Sequence, residues 1–273
     1  LTGLPTLGAW VTFGLGTENR ILPAYVVLDD PKGLPVYHHQ NWQSGFLSPL
    51  YQGTRFRSTG SPILNLKPEF NEPAGITRQE RDLIARLDRI HKSRRPAQPQ
   101  LGARISSYEL AARMQLEASD ALDINRENKK TREMYGIGKD PTDSYGKRCL
   151  IARRLGERGV RFVQLFLECQ AWDHHTQIFK GLKSACARTD QPIAALLRDL
   201  KERGLLDSTL VVWGGEFGRL PIAQLGDNKS EKHAGRDHNK NAMCTWMAGA
   251  GVQGGSLHGC LLYTSPSPRD KAC

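Results

Sequence analysis

Between residues 160 and 215 two mainly apolar runs flank a helical stretch, and this pattern limits the folds open to the chain. "VRFVQLFLE" (160–168) reads as a strand. "TDQPIAALLRDLKERG" (189–204) carries apolar residues at helical spacing and ends in a glycine. "STLVVWGG" (208–215) is a second apolar run, closed by glycines. A strand, a crossover helix and a second strand make a βαβ unit, whose strands pair in parallel. A third strand is expected within "AMCTWMAGAG" (242–251). The predicted class is α/β, a mostly parallel sheet flanked by helices.

Upstream, residues 1–60 are rich in Gly, Pro and aromatics, with one strand-like run, "AYVVL" (24–28). "NWQSGFLSPLYQGTRF" reads as an irregular loop packed by its aromatics. Two helices are predicted over about 77–92 and 106–122, separated by "SRRPAQPQLGA". The first spaces Leu83, Ile84, Leu87 and Ile90 helically, the second Leu110, Met114 and Ala118, so each covers a core or pairs with the other. "NRENKKTREMYGIGKDPTDSYG" has the charge and glycine of a mobile connection. "SYGKRCLIARRLGERG" predicts a helix with Cys149, Leu150 and Leu155 on one face and Gly159 as its stop.

Composition closes off some functions. The 273 residues suffice for a sizeable core, and 39% hydrophobic with 24% charged is ordinary for a globular chain. No run reaches the roughly 18 apolar residues of a membrane span. The formal charge of +10 favours an anionic partner. In "TRQERDLIARLDRIHKSRR" the bases alternate with acids, so nucleic acid is not expected, and an anionic small substrate or a solvated basic face both fit. Six cysteines without a CxxC pair read as free thiols. The opening residues hold neither a methionine nor a basic leader, so the chain reads as part of a longer protein and its compartment stays open.

Three polar clusters attach to the strands: Asp173-His174-His175, then Glu216-Phe217-Gly218-Arg219, then "HAGRDHN" (233–239). Open α/β sheets bind ligands beyond the carboxyl ends of their strands. Asp173, His175, Glu216, Asp237 and His238 are therefore expected to converge on one rim. Carboxylate and imidazole together suit zinc, manganese or iron better than calcium or magnesium alone. Alternation along an extended segment puts Asp173 and His175 on one side and His174 on the other. Arg219 and Arg236 are candidates for holding an anionic group, and Arg219 serves equally as an ion-pair partner for Glu216. Taken singly, each cluster also fits a surface or capping role.

"YGKRCLIARRLGERGVRFVQLF", "WDHH", "LLRDLKERGLLDSTLVVWGGEFGRLP" and "GRDHN", with "LGAWVTFGLGTENRILPAYVVL" before them, resemble domain-of-unknown-function family 1501, a sulfatase-like branch of the alkaline phosphatase superfamily. The resemblance covers nearly residues 1–260 and implies a single sulfatase-like α/β domain. It also implies an exported, metal-dependent hydrolase of sulfate or phosphate esters; zinc is the expected metal, with manganese or calcium as alternatives. The family's Trp-Asp-Thr-His pattern falls on Trp172-Asp173-His174-His175, so His175 takes the family histidine and His174 replaces threonine. Glu216 stands where an aspartate ligand would, Phe217 where a histidine ligand would, and His238 is the favoured ligand of the last cluster. The nucleophile is expected upstream of Leu1, so the chain alone is expected to be inactive. The alternative is a non-catalytic binding or surface-associated protein that retains the fold. "LLYTSPSPRDKAC" (261–273) departs from the pattern and reads as a non-native tail.

Overall fold

The computed structural model describes residues 3–57, 73–215, 217–226 and 231–258. In chain order its elements are α1 (Leu7–Leu15), β1 (Tyr25–Leu28), β2 (Thr54–Phe56), α2 (Ala74–Ser93), α3 (Pro99–Leu122), α4 (Lys129–Met134) and α5 (Asp143–Glu157). Then follow β3 (Phe162–Leu165), α6 (Ile178–Glu202), β4 (Val211–Trp213), β5 (Gly218–Arg219), β6 (His238–Asn239) and β7 (Trp246–Ala248). The chain is α/β and divides into two compact units, Leu1–Asn128 with Lys147–Cys169, and Lys129–Gly146 with Gln170–Cys273.

The first unit is built on a parallel sheet in the order β2-β1-β3. All four residues of β1 are buried, because both faces of this central strand are covered. Val26 and Leu28 join Phe56, Met114, Leu122 and Leu155 in one cluster, while Tyr25 and Val27 pack with Trp42, Phe162 and Phe166. Each such side chain contributes about 1.5–3 kcal/mol by leaving water. Burial pushes the Tyr25 phenol up to about 12, against the opposing pull of a hydrogen bond with Thr6, so it stays a neutral donor to Gln164 Oε1.

Three arginines of α5 are buried with this core. Arg148 donates to Asp30 Oδ2 at 2.7 Å and to the Phe166 carbonyl, tying together the segments that follow β1 and β3. Arg153 and Arg154 share Glu127, and Arg154 also donates to the carbonyls of Ala121 (3.0 Å) and Asp120 (2.7 Å) at the end of α3. Burial alone would raise the pKa of Glu127; the Arg153 and Arg154 guanidiniums outweigh it and hold the carboxyl below its usual range. Helix α5 is thus buried on more than the single Cys149, Leu150 and Leu155 face expected from its pattern.

Several expectations change. The expected βαβ pairing is absent among the described residues: β3 pairs with β1, and β4 pairs antiparallel with β7, Val211 opposite Ala248 and Trp213 opposite Trp246. The crossover helix begins at Ile178, eleven residues before residue 189, and α3 begins at Pro99, inside the expected linker. Leu83, Ile84, Leu87 and Ile90 of α2 are exposed rather than covering a core, and the side chain of Ala118 lies outside the described residues. The loop before β2 contains short 3-10 turns. The expected mobile connection folds into α4 and the start of α5; Tyr135 within it is fully buried and donates to Asp199 Oδ2 at 3.0 Å. Gly159 and Gly204, with φ of +78° and +68°, stop α5 and α6 as expected. Among the described residues no helix is long and apolar enough to cross a membrane.

Candidate metal centre

The site lies wholly in the second unit, where three stretches of backbone run side by side. Thr176 bridges antiparallel to Ala234, and Gln224 bridges antiparallel to Gly235. The first pairing is extended by Arg236 N–H donating to the His174 carbonyl at 3.1 Å, Gln177 N–H to His233 at 2.9 Å and Ile178 N–H to Ala234 at 3.1 Å. Gly235 makes this approach workable: a Cβ there would lie 2.0 Å from the His175 carbonyl carbon and 2.4 Å from the Thr176 nitrogen. Gln177 takes a left-handed conformation, φ +49°, which turns the chain into α6.

On this frame β5 and β6 form an antiparallel pair with Arg219 directly opposite His238. Directly opposite residues in such a pair project to the same face. Both reach one atom, Asp173 Oδ1: Arg219 Nη2 at 2.5 Å and His238 Nε2 at 3.1 Å. His175 Nε2 reaches the same oxygen at 3.0 Å. Gln170 donates to the other oxygen, Oδ2, at 3.2 Å. Burial pushes the Asp173 pKa up, but hydrogen bonds from Arg219 and His238 outweigh it and hold the carboxyl below its usual range.

Asp173, His175 and His238 thus form a group whose ligating atoms all lie within 4.8 Å of one another. The donor chemistry fits a divalent cation of the zinc type, which takes imidazole nitrogen and carboxylate oxygen together. Gln224 Oε1 faces His175 Nδ1 at 2.9 Å, an acceptor that draws the ring proton to Nδ1 and turns the Nε2 lone pair toward Asp173. Two acceptors 3.0 Å apart are reconciled only by a proton or a cation between them. Gln224 is the kind of outer partner that fixes a ligating histidine.

Other expected residues fall differently. Asp237 Oδ1 is 3.7 Å from His175 Nδ1, beside the group rather than in it, and caps the His238 N–H at 2.7 Å. Glu216 lies outside the described residues. Arg236 contributes through its backbone, its carbonyl accepting from Arg219 Nη1 at 3.3 Å. Arg219 pairs with Asp173. His174 lays its ring against Gly181 of α6, with Nε2 buried and unpartnered among the described residues. Burial, then the nearby Arg219 charge, pushes the His174 pKa down against the opposing pull of Asp173. Phe217 meets His238 edge-on, ring centroids 5.1 Å apart. In the first unit, beyond β1 and β2, lies a recess lined by Asp29, Asp30, Arg55 and Arg57, whose two aspartates are ion-paired with Arg55 and Arg148.

The family described as protein of unknown function (DUF1501) matches residues 1–268. The chain belongs to the DUF1501 family. That match runs past residue 260, where the resemblance was expected to end, into the stretch read as a non-native tail. Residues 259–273 lie outside those described. No curated protein and no solved structure matches this DUF1501 chain.

Proposed function

We propose that this DUF1501 protein holds a divalent cation, zinc by preference, on Asp173, His175 and His238, and acts on sulfate or phosphate esters. The observation that carries the reading is the convergence of two Nε2 atoms on one carboxylate oxygen, at 3.0 and 3.1 Å, with a guanidinium on the same oxygen. When bound, a zinc ion supplies Lewis acidity toward an ester oxygen. The chain's own contributions follow from its contacts. Asp173 brings the negative charge, Gln224 orients the His175 ring, and Phe217 steadies the ring of His238. Arg219 is the cationic fork beside the centre, suited to a tetrahedral anion. The sulfatase-like resemblance of the "WDHH" and "GRDHN" stretches supports the choice of ester.

A second reading, a binding protein that keeps the cation without turnover, is favoured by Phe217, which puts an apolar ring against His238 where a further ligand would stand. Equilibrium dialysis with zinc separates ligand from bystander. His175→Ala is expected to lose affinity well beyond the roughly 10- to 100-fold typical of an outer partner. His174→Ala, its ring turned toward Gly181, is expected to lose little. Equal occupancy in the two variants at matched folding rejects the assignment. Zinc-dependent turnover of an aryl sulfate or phosphate monoester, absent in His175→Ala, supports hydrolysis; zinc binding without turnover favours the second reading.

A further inference from the structure

We infer that Arg219 is a competitor of the cation for Asp173 and becomes the anion-holding group of the site only once a cation has displaced it. The inference rests on the metal reading above and adds an order of events. Asp173 Oδ1 is met by His175 Nε2 at 3.0 Å, His238 Nε2 at 3.1 Å and Arg219 Nη2 at 2.5 Å, while Oδ2 already accepts from Gln170 at 3.2 Å. A carboxylate oxygen offers about two lone-pair directions, and Oδ1 already has three partners crowded on it. A cation binding to Asp173 must remove one of them. The two imidazoles are its co-ligands and stay. The guanidinium is the group that yields.

Its position after yielding is restricted. Arg219 sits on β5 opposite His238, and its Nη1 donates to the Arg236 carbonyl at 3.3 Å, so the fork turns about that contact while its base stays fixed in the strand pair. The Nη2 edge that leaves Asp173 is then directed at whatever the cation holds. A sulfate-sized anion bound there receives the planar, two-pronged donor that such oxygens match. In the cation-free chain the same charge is spent on Asp173. Cation and anion are thereby coupled: each favours the arrangement the other needs.

The sign of one substitution decides the matter. An outer residue that supports a metal site weakens metal binding when removed, by roughly 10- to 100-fold. A competitor does the opposite. By calorimetric titration of zinc into the full chain at neutral pH, Arg219→Gln is expected to bind zinc roughly tenfold more tightly than the unaltered protein. Inorganic sulfate titrated into the zinc-loaded chain is expected to bind roughly tenfold more weakly in Arg219→Gln, which lacks the charged donor. Arg219→Lys keeps the charge and loses the fork, so zinc affinity stays near that of the unaltered protein while sulfate binding weakens; it also serves if Arg219→Gln fails to fold, as judged by circular dichroism. Zinc affinity unchanged or lowered in Arg219→Gln overturns the competition and leaves the metal site standing. Undiminished sulfate binding in both variants overturns the anion role. Zinc bound by none of the three proteins rejects the metal reading itself.

Discussion

Replacing Gly235 by alanine tests the frame of the site with the smallest change available. The added Cβ would lie 2.0 Å from the carbonyl carbon of His175, 2.2 Å from its oxygen and 2.4 Å from the Thr176 nitrogen. Ordinary contact begins near 3.4 Å, so one backbone must retreat by more than 1 Å. All three obstacles are main-chain atoms, and no rotamer change relieves them. Retreat on one side stretches the paired hydrogen bonds between Gly235 and Gln224, at 2.8 and 2.9 Å. Retreat on the other stretches the Arg236 bond to His174, at 3.1 Å. Overpacking costs about 1–3 kcal/mol, and a weakened hydrogen bond adds about 1 kcal/mol. The expected loss is thus about 2–4 kcal/mol, read from urea unfolding followed by tryptophan fluorescence. Hydrogen exchange should show the opening at residues 174–178 and 233–236 first. Stability within about 0.5 kcal/mol of the unaltered chain, the range of an ordinary surface change, with unchanged exchange would refute the steric account.

Asp30→Ala takes the carboxylate from the fully buried Arg148 guanidinium and should cost about 3–5 kcal/mol by the same unfolding measurement. Glu127, pushed up by burial but held below the ordinary glutamate range by Arg153 and Arg154, contributes stability that is present above its ordinary value and lost as pH falls through its lower folded value. Glu127→Gln should therefore be less stable at neutral pH and lose less on acidification below pH 4.5, as seen in urea midpoints across that window. Phe217→Ala removes the edge contact on the His238 ring and should weaken zinc binding roughly tenfold or more in equilibrium dialysis, with little change in unfolding midpoint.

How far the sequence foretold this depended on whether the signal was local. "AYVVL" was legible because an apolar, β-branched run needs two covered faces, and α5 and α6 announced their ends through Gly159 and Gly204. Pro99 stood at a helix start, a position proline favours, yet was read as linker because the residues around it are polar. The strand-helix-strand pattern indicated two strands without indicating that each would pair in a different sheet; that choice depends on partners distant in sequence. Arg148, Arg153 and Arg154 drew no notice in the sequence because the carboxylates they share, Asp30 and Glu127, lie far away in the chain. In the site, residue type marked out Asp173, His175 and His238. Gln224 carried no sequence signal at all, and Phe217 registered only as a missing ligand, since a ring that steadies an imidazole is visible only in three dimensions.

The contact between His238 and Asp173 joins residues 65 positions apart, and that between Arg219 and Asp173 joins residues 46 apart. In polymer terms these are closures of long loops, made only after the chain between them has lost much of its freedom. Any ion gripping both Asp173 and His238 closes a ring through that whole stretch of chain. Treated as a cross-link, such a ring removes roughly 4 kcal/mol of entropy from the unfolded chain. The ligand occupying the site would then also decide how long residues 173–238 stay folded.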